Sequence, residues 1–278
     1  LNSTVERAAR FVLDNALTRK VFRTFVFDYE QALADAARRA RVELEAAKRK
    51  ASFSAAGEDR IAAFILTFFL GKKDSGVTYC DIGSNDPVRG NNTYYFYLRQ
   101  GRGVLVEPNP KHCEASRELR ANDTVVNAGI AFDIGISEAV YYMFDRDTLN
   151  TFSAEYAALV PARKNVKLIG ERKTPLIHLN SLFESEFSGI APDFLSVDVE
   201  GLEAEILGTI DFARFRPSLI LIEVALGSVR PGEDFPAEKV LLVNDYLPVA
   251  NSGVNRFFVA KERFQTERLL FGDNMALQ

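Results

Sequence analysis

The chain has 278 residues, 47% of them hydrophobic and 26% charged, with a formal net charge of −4. These are ordinary values for one large α/β domain, or a domain with an extension. The acidic balance excludes general nucleic-acid binding through phosphate neutralisation. The longest apolar run, Ile61 to Leu70, falls short of the ~20 residues a membrane span needs.

Residues 1–51 read as an N-terminal helical extension. Val5, Ala8, Ala9, Val12, Leu13 and Ala16 recur at helical spacing. From Tyr29 to Lys50 the chain is rich in Ala, Glu and Arg and has no Gly or Pro. Its thin apolar face, Leu33, Val42 and Leu44, needs something to pack on. Two arrangements satisfy it, a lid on the main domain or an arm in a homodimer. The bases among these residues alternate with acids such as Glu43 and Glu45, the pattern of a solvated face.

The main domain is expected over residues 52–278. Ser52 to Gly57 breaks the helix, and Glu58 and Asp59 open the next one, favourably placed for its dipole. Ile61, Phe64, Ile65, Phe68 and Phe69 form its core face. A short apolar strand, Val77 to Cys80, then runs into Asp81-Ile82-Gly83-Ser84-Asn85. Gly83 permits φ > 0 or close approach of a ligand. A second strand, Gly103 to Glu107, leads into Pro108-Asn109. An open α/β sheet binds ligands at its strand ends, and Glu107 can accept hydrogen bonds from both hydroxyls of a ribose. A nucleoside-type cofactor across the two strand ends is the expectation. There is no GxGxxG fingerprint and no P-loop.

Between these strands lie an unusual turn, Asn85 to Thr93, and an aromatic helix around Tyr94, Tyr95, Phe96 and Tyr97. Pro110 to Leu119 reads as a helix with Pro at its start, and His112 as a surface residue on it. Thr124 to Asn127 is a third strand, ending at Ala128. Ala139 to Phe144 reads as an antiparallel strand, Leu149 to Lys164 as an irregular polar segment, and Thr174 to Leu179 as a strand followed by a short helix. Phe194 to Val197 is the fourth main strand, ending in Asp198-Val199-Glu200-Gly201. Ser218 to Glu223 is the fifth, aliphatic as a strand covered on both faces should be. Lys239 to Val243 and Arg256 to Lys261 read as two strands or a helix and a strand. Such alternation indicates a mostly parallel sheet between helical layers. Cys80 and Cys113 make neither a disulfide framework nor a zinc site, so a reducing, cytoplasmic compartment is expected.

Asp81-Ile82-Gly83-Ser84-Asn85, Glu107-Pro108-Asn109-Pro110, Asp198-Val199-Glu200-Gly201 with Glu203, and Arg216-Pro217 leading into Leu221-Ile222-Glu223 together resemble the FkbM family of S-adenosylmethionine-dependent methyltransferases. Gly57-Glu58-Asp59, Asn92-Thr93 and Tyr97 extend the similarity to one branch of that family. The resemblance covers roughly residues 52 to 262. It implies a class I methyltransferase fold, a Rossmann-like seven-stranded, mostly parallel sheet with an antiparallel last strand. It implies S-adenosylmethionine as cofactor and, usually, transfer to a hydroxyl oxygen of a sugar, glycan or glycosylated metabolite. By the same resemblance Asp81, Gly83, Ser84 and Asn85 surround the methionine part, Glu107 with Pro108 and Asn109 holds the ribose, Asn127 and Ala128 lie near the adenine, and Asp198 lies beside the cofactor. Two departures stand out. Asp86 follows Asn85 where a Gly or His is usual, and Ser84 replaces a more usual Ala.

Methyl transfer to a hydroxyl needs an aligned acceptor and a base. Asp198 and Glu200 are the candidate catalytic acids, with Glu203, His178 and Glu223 in reserve. The structural alternatives are a helix cap for Asp198, a helix-start charge for Glu200 and a satisfied core residue for His178. If Asp198 and Glu200 converge, they can hold a divalent cation through oxygen ligands, but no third ligand is evident. Asp86, Asn92, Tyr95, His178 and Glu223 are candidate acceptor contacts. The faces of Tyr94, Tyr95 and Tyr97 suit the C–H surface of a sugar, and the alternative for this cluster is core or cofactor-pocket wall. Two other functions fit an acid after the second strand, an NAD-dependent oxidoreductase and a noncatalytic nucleoside-binding module.

Overall fold

The computed structural model describes residues 52–73, 75–133, 135–224 and 235–264. The expected N-terminal helical extension, and any dimer arm within it, lie outside these residues. The first helix, α1 (Glu58–Phe64), continues as a π-helical turn over Ile65–Phe69. Strand β1 (Thr78–Ile82), the single turn α2 (Tyr94–Tyr97), β2 (Arg102–Val106), α3 (Pro110–Leu119) and β3 (Thr124–Val126) follow.

After β3 come β4 (Gly129–Ala131), β5 (Glu138–Phe144), α4 (Ala154–Lys164) and the long β6 (Leu168–His178). The chain returns to the main sheet through α5 (Leu179–Glu186), β7 (Phe194–Val197), α6 (Glu203–Gly208) and β8 (Leu219–Glu223). It ends with α7 (Pro236–Val243), β9 (Tyr246–Asn251) and β10 (Asn255–Ala260).

The main sheet has seven strands in the order β3-β2-β1-β7-β8-β10-β9. β10 is antiparallel to both of its neighbours, and every other pairing is parallel. Side chains alternate between its faces with the period of 2 that a pleated strand imposes. Cys80 and Ile82, Val104 and Val106, Leu195 and Val197, and Ile220 and Ile222 pack on one side against α5, α6 and α7. Tyr79, Leu105, Phe194, Leu219 and Leu221 pack on the other against α1 and α2. A second sheet, β4-β6-β5, is inserted between β3 and β7. β5 runs antiparallel to β6, and β4 parallel to it.

Several elements differ from the sequence reading. The segment read as irregular and polar contains α4, which tolerates Pro161 in its interior and is begun by Ser153, whose hydroxyl accepts from the Tyr156 amide. The strand read over Thr174 to Leu179 starts six residues earlier, at Leu168. The last segment is helix α7 and strand β10, with the additional strand β9 between them. β9 carries Pro248 and lies at the sheet's edge, the position where a residue without an N–H is tolerated. No helix among the described residues is long and apolar enough to cross a membrane.

Candidate active site

The register of the main sheet builds the site. Ile82 pairs with Val106 on one side and Val197 on the other, Val197 with Ile222, and Val106 with Val126. One residue further along, Asn127, Glu107, Gly83, Asp198 and Glu223 therefore fall in a single row across the carboxyl ends of five strands. This row borders a cavity of about 290 Å³, near the lower end of the range for small-molecule sites.

Gly83 is the narrowest point of the row. It has φ +79, and a Cβ there would lie 1.8 Å from the Asp198 carbonyl oxygen. Two strand-end turns thus meet at a position with room only for a hydrogen. Asn85 and Glu200, one in each turn, also have positive φ, 47 and 58. That conformation is familiar for Asn and strained for Glu.

Asp81 lies beneath the cavity, 2% exposed. Thr93 Oγ1 donates to it at 2.8 Å and Asn91 Nδ2 at 3.3 Å. Asn91 also donates to the Ser84 carbonyl and accepts from the Thr93 and Tyr94 amides, so one side chain ties the turn to α2. Under this network lies Arg120, wholly buried. Its Nε donates to Asp123 at 2.8 Å, Nη1 to Asn91 at 2.9 Å and Nη2 to Thr93 at 3.0 Å. Burial raises the Asp81 carboxyl above its ordinary range, opposed chiefly by the Arg120 charge.

Glu107 accepts from the Asn85 amide through Oε2 at 2.8 Å and from the Asn109 amide through Oε1 at 2.7 Å. Each oxygen keeps a second lone pair for a ligand hydroxyl. Asn109 caps α3, accepting from the Lys111 amide, and Asn127 donates to the Glu107 and Pro108 carbonyls. These two side chains shape the turn and do not line the cavity, whereas Pro108 and Ala128 do. The Phe152 ring covers Gly129 so closely that a Cβ there would lie 2.5 Å from it.

At the other end of the row, oxygens of Asp198, Glu200 and Glu223 lie within 4.8 Å of one another. Glu200 accepts from the Tyr156 hydroxyl at 2.5 Å, which links α4 to the turn after β7. Glu203 accepts from the Val199 and Gly201 amides and closes that turn. Burial, followed by the charge of neighbouring acids, pushes Asp198 and Glu223 upward. Oε2 of Glu223 is buried and finds no donor among the described residues. A proton shared between the two carboxyls satisfies both observations.

This arrangement sets the sign of a pH effect. Folding raises these carboxyl pKa values, so the native state holds more protons than the unfolded chain, and stability falls as pH rises. The window opens at the ordinary carboxylate range and extends upward through neutrality. Ligand-free protein is expected to melt at a higher temperature at pH 5.5 than at pH 8, and Glu223→Gln to flatten the difference. A melting temperature that climbs from pH 5.5 to pH 8 in the parent protein contradicts the shared proton.

The structure brings Asp81, Gly83, Ser84, Asn85, Asn92, Glu107, Pro108, Ala128, Asp198, Glu200 and Glu223 to one cavity. It leaves five candidates away from it. Tyr95 is 2% exposed in the core, with the Arg60 and Arg99 guanidinium groups over its ring. His178 ends β6 and precedes α5. Asp86 accepts from the Val88 and Arg89 amides and so holds the turn. Asn109 and Asn127 act on the backbone as described. His112, read as a surface residue, is 7% exposed and bonded to Asp147 at 2.9 Å. The reading gave no role to Asn91 or Arg120, for which the one local signal was the i,i+3 spacing of Arg120 and Asp123, and held Thr93 only within the Asn92-Thr93 resemblance. The wall given by the insertion, including Tyr141, Asp147, Thr151 and Phe152, was not named residue by residue.

The seven-stranded order, with β10 antiparallel in an otherwise parallel sheet, is that of the class I methyltransferase fold. Residues 81–246 match the methyltransferase FkbM domain, more than half of the chain, and the protein belongs to that family. No curated protein matches the sequence. Solved structures similar to it include a TehB-like SAM-dependent methyltransferase from Corynebacterium glutamicum, at 11% identity over 83% of this chain and 100% of that one, with a TM-score of 0.39. An O-methyltransferase from Bacillus cereus in complex with SAH has 11% identity over 78% and 88%, with a TM-score of 0.37. A methyltransferase FkbM from Methylobacillus flagellatus has 14% identity over 67% and 44%, with a TM-score of 0.39.

Proposed function

We propose that the protein methylates a hydroxyl oxygen of a sugar, glycan or glycosylated metabolite. The observation that carries this reading is that Asp198 and Glu223 stand on the same strand-end row as Gly83 and Glu107, with Glu200 in the adjoining turn close to both. The residues present fit the cofactor. Glu107 offers free lone pairs, Gly83 lets the turns after β1 and β7 meet at the cavity's edge, and the Ser84 hydroxyl is buried without a partner. S-adenosylmethionine, when bound, supplies a methyl group already activated on a sulfonium.

The chain's own residues do the remainder. Glu107 holds the ribose, with Pro108 and Asn109 fixing its turn. Asp81, Gly83, Ser84 and Asn85 form the bed for the methionine part, and Ala128 borders the base, with Asn127 holding the turn beside it. Asp198 accepts the acceptor's hydroxyl proton, and the raised proton affinity suits that task near neutral pH. Glu223 keeps a proton and steadies Asp198, while Glu200, fixed by Tyr156, contacts the acceptor. Asn92, Asp147, Thr148, Asn150 and Thr151 line the cavity with polar groups, and the exposed Phe132 adds an apolar face. Hydrogen-bonding groups beside an aromatic face suit a polyhydroxylated ring.

Asp198→Asn is expected to lower kcat by about 10²–10⁴-fold while leaving the Kd for S-adenosylhomocysteine nearly unchanged. Equal turnover by parent and variant on a methylated hydroxyl acceptor removes Asp198 as the base. A second reading draws on the same cluster, since three carboxylate oxygens within 4.8 Å can also hold a divalent cation. Dialysis against a chelator separates the two. Turnover that survives supports the shared proton, and turnover lost and then restored by Mg²⁺ supports the cation.

A further inference from the structure

The cavity is lined by six acids, Asp81, Glu107, Asp147, Asp198, Glu200 and Glu223, and by one base among the described residues, Arg89. Other cations among the described residues are paired. Arg120 is bonded on all sides, and Lys72, Arg216 and Arg256 are paired with Asp193, Glu262 and Glu238. The Arg89 side chain is exposed at the cavity's rim, and its guanidinium makes no hydrogen bond or ion pair among the described residues. Only its backbone is fixed, by the amide that donates to Asp86.

A second group in the same turn is equally unpartnered. The Ser84 side chain lines the cavity, is 5% exposed, and its hydroxyl has no hydrogen-bond partner. Buried hydroxyls are nearly always bonded, so an orphan at a cavity wall points to a ligand group. The two residues belong to one rigid turn. Asn91 Nδ2 holds the Ser84 carbonyl, and Asp86 Oδ1 holds the Arg89 amide. Asp86, which does not itself line the cavity, is thereby the group that fixes the backbone at Arg89.

Both groups donate hydrogen bonds, and one is a cation, so their complement is an anion. S-adenosylmethionine carries one anionic group, the carboxylate of its methionine tail. We infer that Arg89 and Ser84, both in the wall of the cavity, form a carboxylate clamp for that tail and are a specificity-determining pair. Arg89 supplies charge and a planar fork matched to a carboxylate. Ser84 supplies the buried hydroxyl, which the more usual Ala cannot. The inference rests on the cofactor assignment above.

The test compares two ligands on three proteins by calorimetry. S-adenosylhomocysteine carries the carboxylate, and S-adenosyl-3-thiopropylamine is the same molecule without it. Parent protein is expected to bind the first about tenfold or more tightly than the second, the size of one charged hydrogen bond. Arg89→Met is expected to weaken the first by about tenfold and leave the second within about twofold. Ser84→Ala should act in the same direction by a smaller factor. Arg89→Lys, which keeps the charge, should fall between parent and Arg89→Met. Equal losses for both ligands, or no loss for either, overturn the clamp. Failure of parent protein to bind either ligand overturns the cofactor assignment itself, and the clamp with it.

Discussion

Gly83→Ala is expected to abolish S-adenosylhomocysteine binding and to destabilise the protein by about 2–5 kcal/mol, the sum of a left-handed backbone penalty and an overpacked contact. The cause is steric. At φ +79 the new methyl would sit 1.8 Å from the Asp198 carbonyl oxygen. That oxygen is backbone, so no side-chain rotation relieves the clash. The turns after β1 and β7 must move apart, and both border the cavity. Calorimetry and a urea titration read the two effects. A variant with parental stability and affinity would show that the two turns do not meet as described.

Arg120→Met is expected to cost about 3–5 kcal/mol, the range for breaking a buried ion pair by removing one partner. The volume is nearly kept, so a cavity is not the cause. Asp123 would lose its cation, Asn91 and Thr93 would lose donors, and Asp81 would lose the charge that opposes its burial. Tyr79 and the Gly103 amide still donate to Asp123, which limits the damage there. Arg120→Lys keeps the charge and loses the fork, so it should be intermediate. A urea midpoint unchanged in Arg120→Met would mean that the buried guanidinium does not hold the turn.

The strand-end row was legible because its signals are local. Val77 to Cys80 and Gly103 to Val106 are short apolar runs, the first leading through Asp81 and Ile82 to the Gly83 bend and the second into Glu107 and Pro108. A sheet period of 2 then places Tyr79 and Asp81 on one face and Cys80 and Ile82 on the other. What the sequence hid depends on partners far along the chain. His112 looks like a surface residue at a helix start until Asp147, from the insertion, covers it. Tyr95 looks like a sugar platform until the core closes around it. α4 was masked by Pro161 and by the polar face of its segment. β9 was masked by Pro248, a residue that argues against a strand everywhere except at an edge. Arg120 ends an unremarkable amphipathic helix, and nothing nearby marks it as the buried cation that holds the turn.

The central claim is that neighbouring strand ends grip the nucleoside and present the donor methyl beside Asp198. A crystal structure of the protein with S-adenosylhomocysteine tests it most directly. The expected density places both ribose hydroxyls on Glu107, the amino-acid tail over Gly83 to Asn85, and the sulfur facing Asp198. Density that seats the ribose away from Glu107, or turns the sulfur from Asp198 and Glu223, would contradict it.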